Sequence, residues 1–291
     1  MAGTRRKHII ETKNHVLEMG QRTLIMGVLN VTPDSFSDGG LYNSTEKAVA
    51  RALEIEAEGA DILDIGGEST RPSGKSYGEG ERCISADEES QRILPVLNAL
   101  SGRLQIPISI DTYKSATARA ALMAGAEIVN DVSGLKFDAD LANVAAEFDA
   151  PLVLMHTRGR PEIMQKLPAS EDIFVEIEES FSQSIAEAET RGVNRSRIIL
   201  DPGLGFGKTV RQNFAIIDQL GRFEKFNLPL LIGPSRKSFL AKTVNRQSNE
   251  LQFATAAAVA ASVMNGAHII RVHDVRAMRE VCDIADAIIC E

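Results

Sequence analysis

A single (β/α)8 barrel of the TIM type, an α/β fold with a short N-terminal cap or hairpin, is the architecture this 291-residue sequence predicts. Three observations predict it. Eight short, almost continuously apolar runs alternate with longer helical patterns, as parallel strands covered on both faces should read. A glycine closes a helix just before the next strand in Gly59-Ala60-Asp61, Gly125-Ala126-Glu127 and Gly266-Ala267-His268. The length suits one barrel of about 250 residues, with no composition shift or low-complexity linker to divide it. A doubly wound sheet is the alternative, because strand order is invisible in sequence.

Residues 1–23 are expected to cap the barrel bottom, and residues 24–291 to form the barrel. The first strand, 24–29, reads Leu-Ile-Met-Gly-Val-Leu and runs into a turn-rich segment, 31–43, before helix 45–58. The second strand, 61–65, opens a long Gly/Ser/Pro-rich segment, 66–85. Both segments exceed what a barrel needs, and long loops in compact domains often act as functional lids. Strands 106–110, 127–129 and 152–155 follow, with helix 114–124 after the first of them. Helix 173–191 then leads to strands 198–200 and 230–232, and the Ala-rich helix 253–265 precedes the last strand, 269–272.

Composition excludes several classes. A hydrophobic fraction of 44% and a charged fraction of 25% are ordinary for a water-soluble globule with a large core. Cys83, Cys282 and Cys290 are too scattered for a disulfide framework or a zinc site, so a reducing cytoplasm is the expected compartment. The charged N-terminus lacks the apolar stretch of a signal peptide, and Ala254 to Met264 falls short of a bilayer span. A net charge of −8 with no tryptophan and three tyrosines argues against a nucleic-acid partner.

In this fold the chemistry sits where strands end. Those ends carry Asn30, then Glu68-Ser69-Thr70-Arg71, Asp111, Asn130-Asp131, His156, Asp201, Gly233-Pro-Ser-Arg-Lys237, and finally Arg271 and His273. Any one of them is unremarkable, since Asp and Asn commonly cap helices and form turns. Together they sort by chemistry. Asp111, Asn130 and Asp201 suit a flat heterocycle with several N–H donors and acceptors. Arg71, Lys237, Arg271 and His273 suit a phosphate or pyrophosphate. Lys237 lies in a run that opens a helix, where backbone N–H groups also attract anions.

Gly203-Leu-Gly-Phe-Gly-Lys-Thr209 ends in Gly-Lys-Thr, but Pro202 sits where a P-loop needs its first glycine, and Lys208 where a dinucleotide fingerprint needs its third. It remains a glycine loop that presents Phe206 for stacking, or else a plain turn. Asn30 and phosphate oxygens are a possible seat for Mg2+, which keeps waters and borrows substrate ligands. His156 and Glu68 read as structural.

Seven segments resemble the dihydropteroate synthase family of pterin-binding enzymes. They are Gly27-Val-Leu-Asn-Val-Thr-Pro-Asp-Ser-Phe-Ser-Asp-Gly39, Asp64-Ile-Gly-Gly-Glu-Ser-Thr-Arg-Pro72, Ser109-Ile-Asp-Thr112, Asn130-Asp-Val-Ser-Gly134, Asp201-Pro-Gly-Leu-Gly-Phe-Gly-Lys208, Ser235-Arg-Lys-Ser238 and Arg271-Val-His273. The resemblance implies a homodimeric barrel that condenses 6-hydroxymethyl-7,8-dihydropterin diphosphate with 4-aminobenzoate by an SN1-like displacement in folate synthesis, with sulfonamides competing for the aminobenzoate site. It further implies Asp111, Asn130, Asp201 and Lys237 around the pterin, and Asn30, Arg71, Arg271 and His273 on the diphosphate, with Asn30 also on Mg2+. Thr70, Arg71, Pro72, Phe206 and Ser238 would form the aminobenzoate pocket. Asp34 and Phe36 would sit on the first lid, and the catalytic set would be Asp34, Arg71, Lys237, Arg271 and His273. The segment Ser73-Gly-Lys-Ser-Tyr-Gly-Glu-Gly-Glu81 is longer than the family pattern and predicts a more mobile second lid. A corrinoid methyltransferase domain that uses methyltetrahydrofolate shares the barrel and pterin pocket but has no need of the cation set. A non-catalytic pterin-binding homologue would be expected to have lost it.

Overall fold

An apolar strand buried on both faces needs a neighbour on each edge, and eight such strands meet that need by closing on themselves. The computed structural model describes residues 5–32, 40–68, 83–247 and 250–289. An antiparallel hairpin, β1 (His8–Glu11) and β2 (Val16–Met19), comes first. The barrel strands are β3 (Leu24–Asn30), β4 (Ile62–Gly66), β5 (Ile108–Asp111), β6 (Ile128–Asp131), β7 (Leu152–Met155), β8 (Ile198–Asp201), β9 (Leu231–Ile232) and β10 (Ile269–Val272). Their order is β8-β7-β6-β5-β4-β3-β10-β9, all parallel, and a parallel bridge from Leu200 to Leu230 joins the two ends. That closure excludes the doubly wound sheet.

The helices are α1 (Gly40–Ala57), α2 (Ala86–Leu100), α3 (Ser115–Met123), α4 (Asp140–Glu147), α5 (Ile173–Thr190), α6 (Val210–Asp218), α7 (Ser238–Val244), α8 (Gln252–Met264) and α9 (Val275–Ile289). Gly59, Gly125 and Gly266 hold positive φ angles of 99°, 108° and 105° at the ends of α1, α3 and α8, which is the predicted closing device. Boundaries of two kinds differ from expectation. Helix α1 starts at Gly40 and not at 45, so the first loop is shorter; glycine and asparagine disguise a helical start. Strands β3, β5, β6 and β8 run on through Asn30, Asp111, Asp131 and Asp201, because the ladder uses backbone groups and ignores side-chain polarity.

Alternation along each strand builds two layers. Outward residues such as Ile25, Leu63, Ile110, Val129, Leu154 and Ile270 pack beneath the helices. Inward residues Leu24, Met26, Ile62, Ile128, Val153, Ile199, Leu231 and Ile269 meet Ile10, Leu17 and Met19 of the hairpin in a second cluster. The hairpin therefore plugs the barrel at the strand N-termini. Its turn is fastened by the Glu127 carboxylate, which accepts from Thr12 Oγ1 at 2.5 Å and Asn14 N at 2.8 Å. Below it, Arg5 pairs with Asp286 of α9, which also accepts from Thr23 N at 2.6 Å.

Continuing the same parity up the interior, the residues become Asp64, Ser109, Asp111, Asn130, Asp201 and Arg271. The barrel is dry at the bottom and polar at the top. Met19 is 2% exposed within the dry layer. Met19→Ala is expected to lower unfolding free energy by about 2–4 kcal/mol in chemical denaturation; a loss well under 1 kcal/mol would show that the hairpin does not plug the barrel.

Candidate active site

Strand register does most of the assembly. The pairs Asn30 with Gly66, Gly66 with Asp111, and Asp111 with Asn130 set these residues in one row across β3 to β6. On the same cleft wall stand Asp201 from β8, Phe206 from the loop that follows it, and Lys237 ahead of α7. Arg271 and His273, from β10 and just beyond, complete the lining. The structure thus brings together eight of the residues that the sequence assigned to a ligand. Ser238 is half-buried at the start of α7 and does not line the cleft. Asp34, Phe36, Thr70, Arg71, Pro72 and the segment 73–81 lie outside the described residues.

The centre of the site is a charge network. Arg271 Nε lies 2.6 Å from Asp64 Oδ2, and Arg271 Nη2 lies 2.6 Å from Asp111 Oδ2. Asn130 Nδ2 donates to the same Asp64 Oδ2 at 3.1 Å. Burial works against the guanidinium charge, but Asp64 and Asp111 outweigh it, so Arg271 holds its proton more firmly than a free arginine. Burial dominates at Asp111 and pushes its carboxyl up to about 7; Arg271 opposes, while Asp64 and Glu89 add to the rise. Asp201 is also raised by burial, against the Gly203 N–H at 2.7 Å and the charges of Lys237 and Lys208. Asp64, fully buried in β4, is the residue sequence reasoning missed. Its signal was a carboxylate at an inward position of an otherwise apolar strand, Ile62-Leu-Asp-Ile-Gly66.

The glycine loop after β8 is built to hold a shape. Gly203 has φ +69°, and a Cβ there would stand 2.0 Å from the His156 carbonyl, so only glycine fits. Lys208 is buried, and its Nζ donates to the carbonyls of Gly203 at 2.8 Å and of His156 and Phe206 at 3.3 Å. Thr209 forms a capping box with Gln212 at the start of α6. The Gly-Lys-Thr run is therefore a loop clasp and a helix cap. It presents Phe206, whose ring centroid lies 4.5 Å from Lys237 Nζ.

Lys237 follows Arg236, whose φ of +56° is unusual for a side-chain-bearing residue and is held by an ion pair to Asp274 at 2.6 Å. His273 Nδ1 meets Ser235 Oγ at 3.0 Å, tying the end of β10 to the same turn. His156 is buried away from the cleft; burial, with Lys208 and Lys136, lowers its proton affinity, which fits its structural reading. Glu68 does line the cleft, where it pairs with Lys114 and accepts from Tyr113 Oη at 3.0 Å.

Among the described residues no three His, Cys, Asp or Glu side chains converge to hold a metal. The donor set suits a cation that arrives with its anion. Asn30 offers one neutral amide oxygen on the wall shared with Arg271 and His273, and Mg2+ bound to phosphate oxygens and water needs few protein ligands.

Buried carboxylates, an amide and cations gather at the C-terminal ends of the barrel strands, which is where enzymes of this fold place their chemistry. Residues 26–273 match the family described as pterin binding enzyme. Dihydropteroate synthase of Synechocystis sp. is 45% identical over 94% of this chain and 92% of its own. The Clostridium difficile dihydropteroate synthase, solved in the presence of pteroic acid, is 40% identical with a TM-score of 0.86, covering 94% of this chain and 98% of that one. The Yersinia pestis enzyme, solved with a sulfonamide drug, is 36% identical with a TM-score of 0.87, covering 96% and 98%. The chain belongs to the pterin-binding enzyme family. Its activity within that family is that of a dihydropteroate synthase, a transferase of folate synthesis.

A raised carboxylate favours the folded state below its unfolded pKa and loses that advantage as pH rises to the folded value, here from about 4 to about 7. Asp111→Asn removes this loss. The stability difference, variant minus wild type, is expected to grow more favourable by on the order of 1 kcal/mol between pH 5 and pH 8 in thermal unfolding; a pH-independent difference would place Asp111 titration outside that window.

Proposed function

We propose that the described cleft is the catalytic centre of this synthase, with its floor taking the pterin and its rim the diphosphate. The observation that carries the proposal is Arg271, which lines the cleft while its guanidinium is bound to the carboxylates of the floor. A pterin edge presents N–H donors and carbonyl and ring-nitrogen acceptors. Asp111 and Asp201 accept, Lys237 donates, and the amide of Asn130 does both. Pteroic acid, named for the Clostridium difficile structure, is a pterin joined to 4-aminobenzoate and so represents both halves of the product skeleton.

In the reaction the bond between the pterin methylene carbon and the diphosphate oxygen breaks, and its electron pair leaves with pyrophosphate. The electron-rich dihydropterin ring delocalises the resulting cation. Arg271 and His273, with Arg71, stabilise charge that accumulates on the leaving oxygens, an electrostatic effect typically worth several kcal/mol. A bound Mg2+, for which Asn30 is the proposed protein ligand, would add Lewis-acid stabilisation of those oxygens. The amine of 4-aminobenzoate forms the new C–N bond and then loses a proton, so no strong general base is required. Thr70, Arg71, Pro72, Phe206 and Ser238 are proposed around the aminobenzoate, where sulfonamides would compete, and Asp34 over the pterin.

The proposed assembly is a homodimer. Phe253 at the start of α8 is 87% exposed, and Val244 and Met264 are also exposed on α7 and α8. Among the described residues no helix is long and apolar enough to cross a membrane, and the charged, water-soluble substrates suit a cytoplasmic enzyme.

The direct test is pyrophosphate release from the dihydropterin diphosphate with Mg2+, with and without 4-aminobenzoate. Release that depends on aminobenzoate and yields dihydropteroate is expected. Lys237→Ala and Asp201→Asn should each lower kcat/KM by about 100-fold or more, near 2.7 kcal/mol of transition-state stabilisation. Near-normal turnover in either variant would remove the pterin assignment.

A further inference from the structure

We propose that Asp64 is a positioning residue for the reaction, a buried carboxylate that aims Arg271 at the diphosphate and Asn130 at the pterin and so couples the two halves of the substrate. The inference rests on the site reading given above. Asp64 is 0% exposed and does not line the cleft, so it acts through its partners. One oxygen serves both: Oδ2 accepts from Arg271 Nε at 2.6 Å and from Asn130 Nδ2 at 3.1 Å.

Each bond leaves specific groups for the ligand. With one N–H of its amide committed to Asp64, Asn130 keeps its Oδ1 acceptor and a second N–H donor, and its amide cannot turn over without losing that bond. Arg271 spends Nε on Asp64 and one Nη2 hydrogen on Asp111, which leaves three N–H donors for an anion. The two carboxylates are not equivalent. Asp111 lines the cleft, where its second oxygen can face a ligand, whereas Asp64 does not line it and acts only through its protein partners. A fully buried carboxylate needs such partners, since burial alone disfavours its charge.

The experiment uses the full chain with Asp64→Asn, which keeps the shape and removes the charge. Affinities for two separate probes, inorganic pyrophosphate with Mg2+ and 6-hydroxymethylpterin, are measured by calorimetry beside steady-state kinetics. The proposal expects both affinities to fall about tenfold or more and kcat/KM about 100-fold. Asp111 is faced by Arg271, Asp64, Glu89 and Lys237; losing the Asp64 charge lets it ionise at lower pH, so the acid limb of the kcat/KM profile moves to lower pH. A purely structural role would lower thermal stability while leaving the folded variant's affinities for both probes unchanged.

Loss of affinity for one probe alone, or both affinities within twofold of wild type, overturns the proposal. Should Asp64→Asn not fold, Arg271→Lys carries the test, because a lysine keeps the charge but cannot span both carboxylates in the same way. Pterin affinity unchanged in that variant overturns the coupling. Wild-type protein that binds neither probe overturns the site reading and this inference with it.

Discussion

The guanidinium of Arg271, held between the carboxylates of Asp64 and Asp111 inside a barrel, is the interaction on which the site depends. A charge at that depth is tolerable only when paired, and pairs of this kind contribute little net stability once desolvation is counted. The fold supplies the stability elsewhere. Apolar layers beneath the network, closed from below by Ile10, Leu17 and Met19 of the hairpin, leave the upper interior free to be polar. Asp111 shows what this arrangement costs, since burial raises its carboxyl to about 7. In the proposed reading the same burial strengthens each hydrogen bond to a ligand, because fewer waters compete for these groups.

Around that network the loops act as rigid supports. Lys208 spends its donors on three carbonyls of the glycine loop and its neighbour strand, which fixes the position of Phe206. Arg236 holds a left-handed turn against Asp274, and from that turn Lys237 reaches back over the Phe206 ring. Two loops from different strands therefore meet through one cation and one aromatic face. Preorganisation of this sort is what an enzyme needs when charge develops on a leaving group and little proton transfer is required.

Much of this was legible in the residues. Strand ends in a barrel converge on one face whatever their sequence separation, so Asn30, Asp111, Asn130, Asp201, Arg271 and His273 could be read as neighbours before any coordinates. Asp64 could not, because it lies inside a strand, where its neighbours depend on interior parity and on the register with β3 and β5. The hairpin was expected at the barrel bottom, but its role as a plug depends on which side chains face inward. The Gly-Lys-Thr run shows the opposite case: spacing correctly excluded a phosphate loop, yet only the fold shows Lys208 as a clasp. The early start of α1 is not legible in the residues, because glycines conceal a helix that later turns support.

If Arg271 links floor and rim, the two halves of the substrate must sense each other. An anion at the rim draws the guanidinium toward itself and frees Asp111 to accept from the pterin, so each ligand should tighten the other equally. The most direct measurement is calorimetric titration of 6-hydroxymethylpterin into the protein with and without saturating pyrophosphate and Mg2+. The account predicts at least about fivefold tighter pterin binding when pyrophosphate is present, a coupling near 1 kcal/mol. Equal affinities in the two titrations would contradict it, and would make the floor and the rim independent sites on a shared barrel.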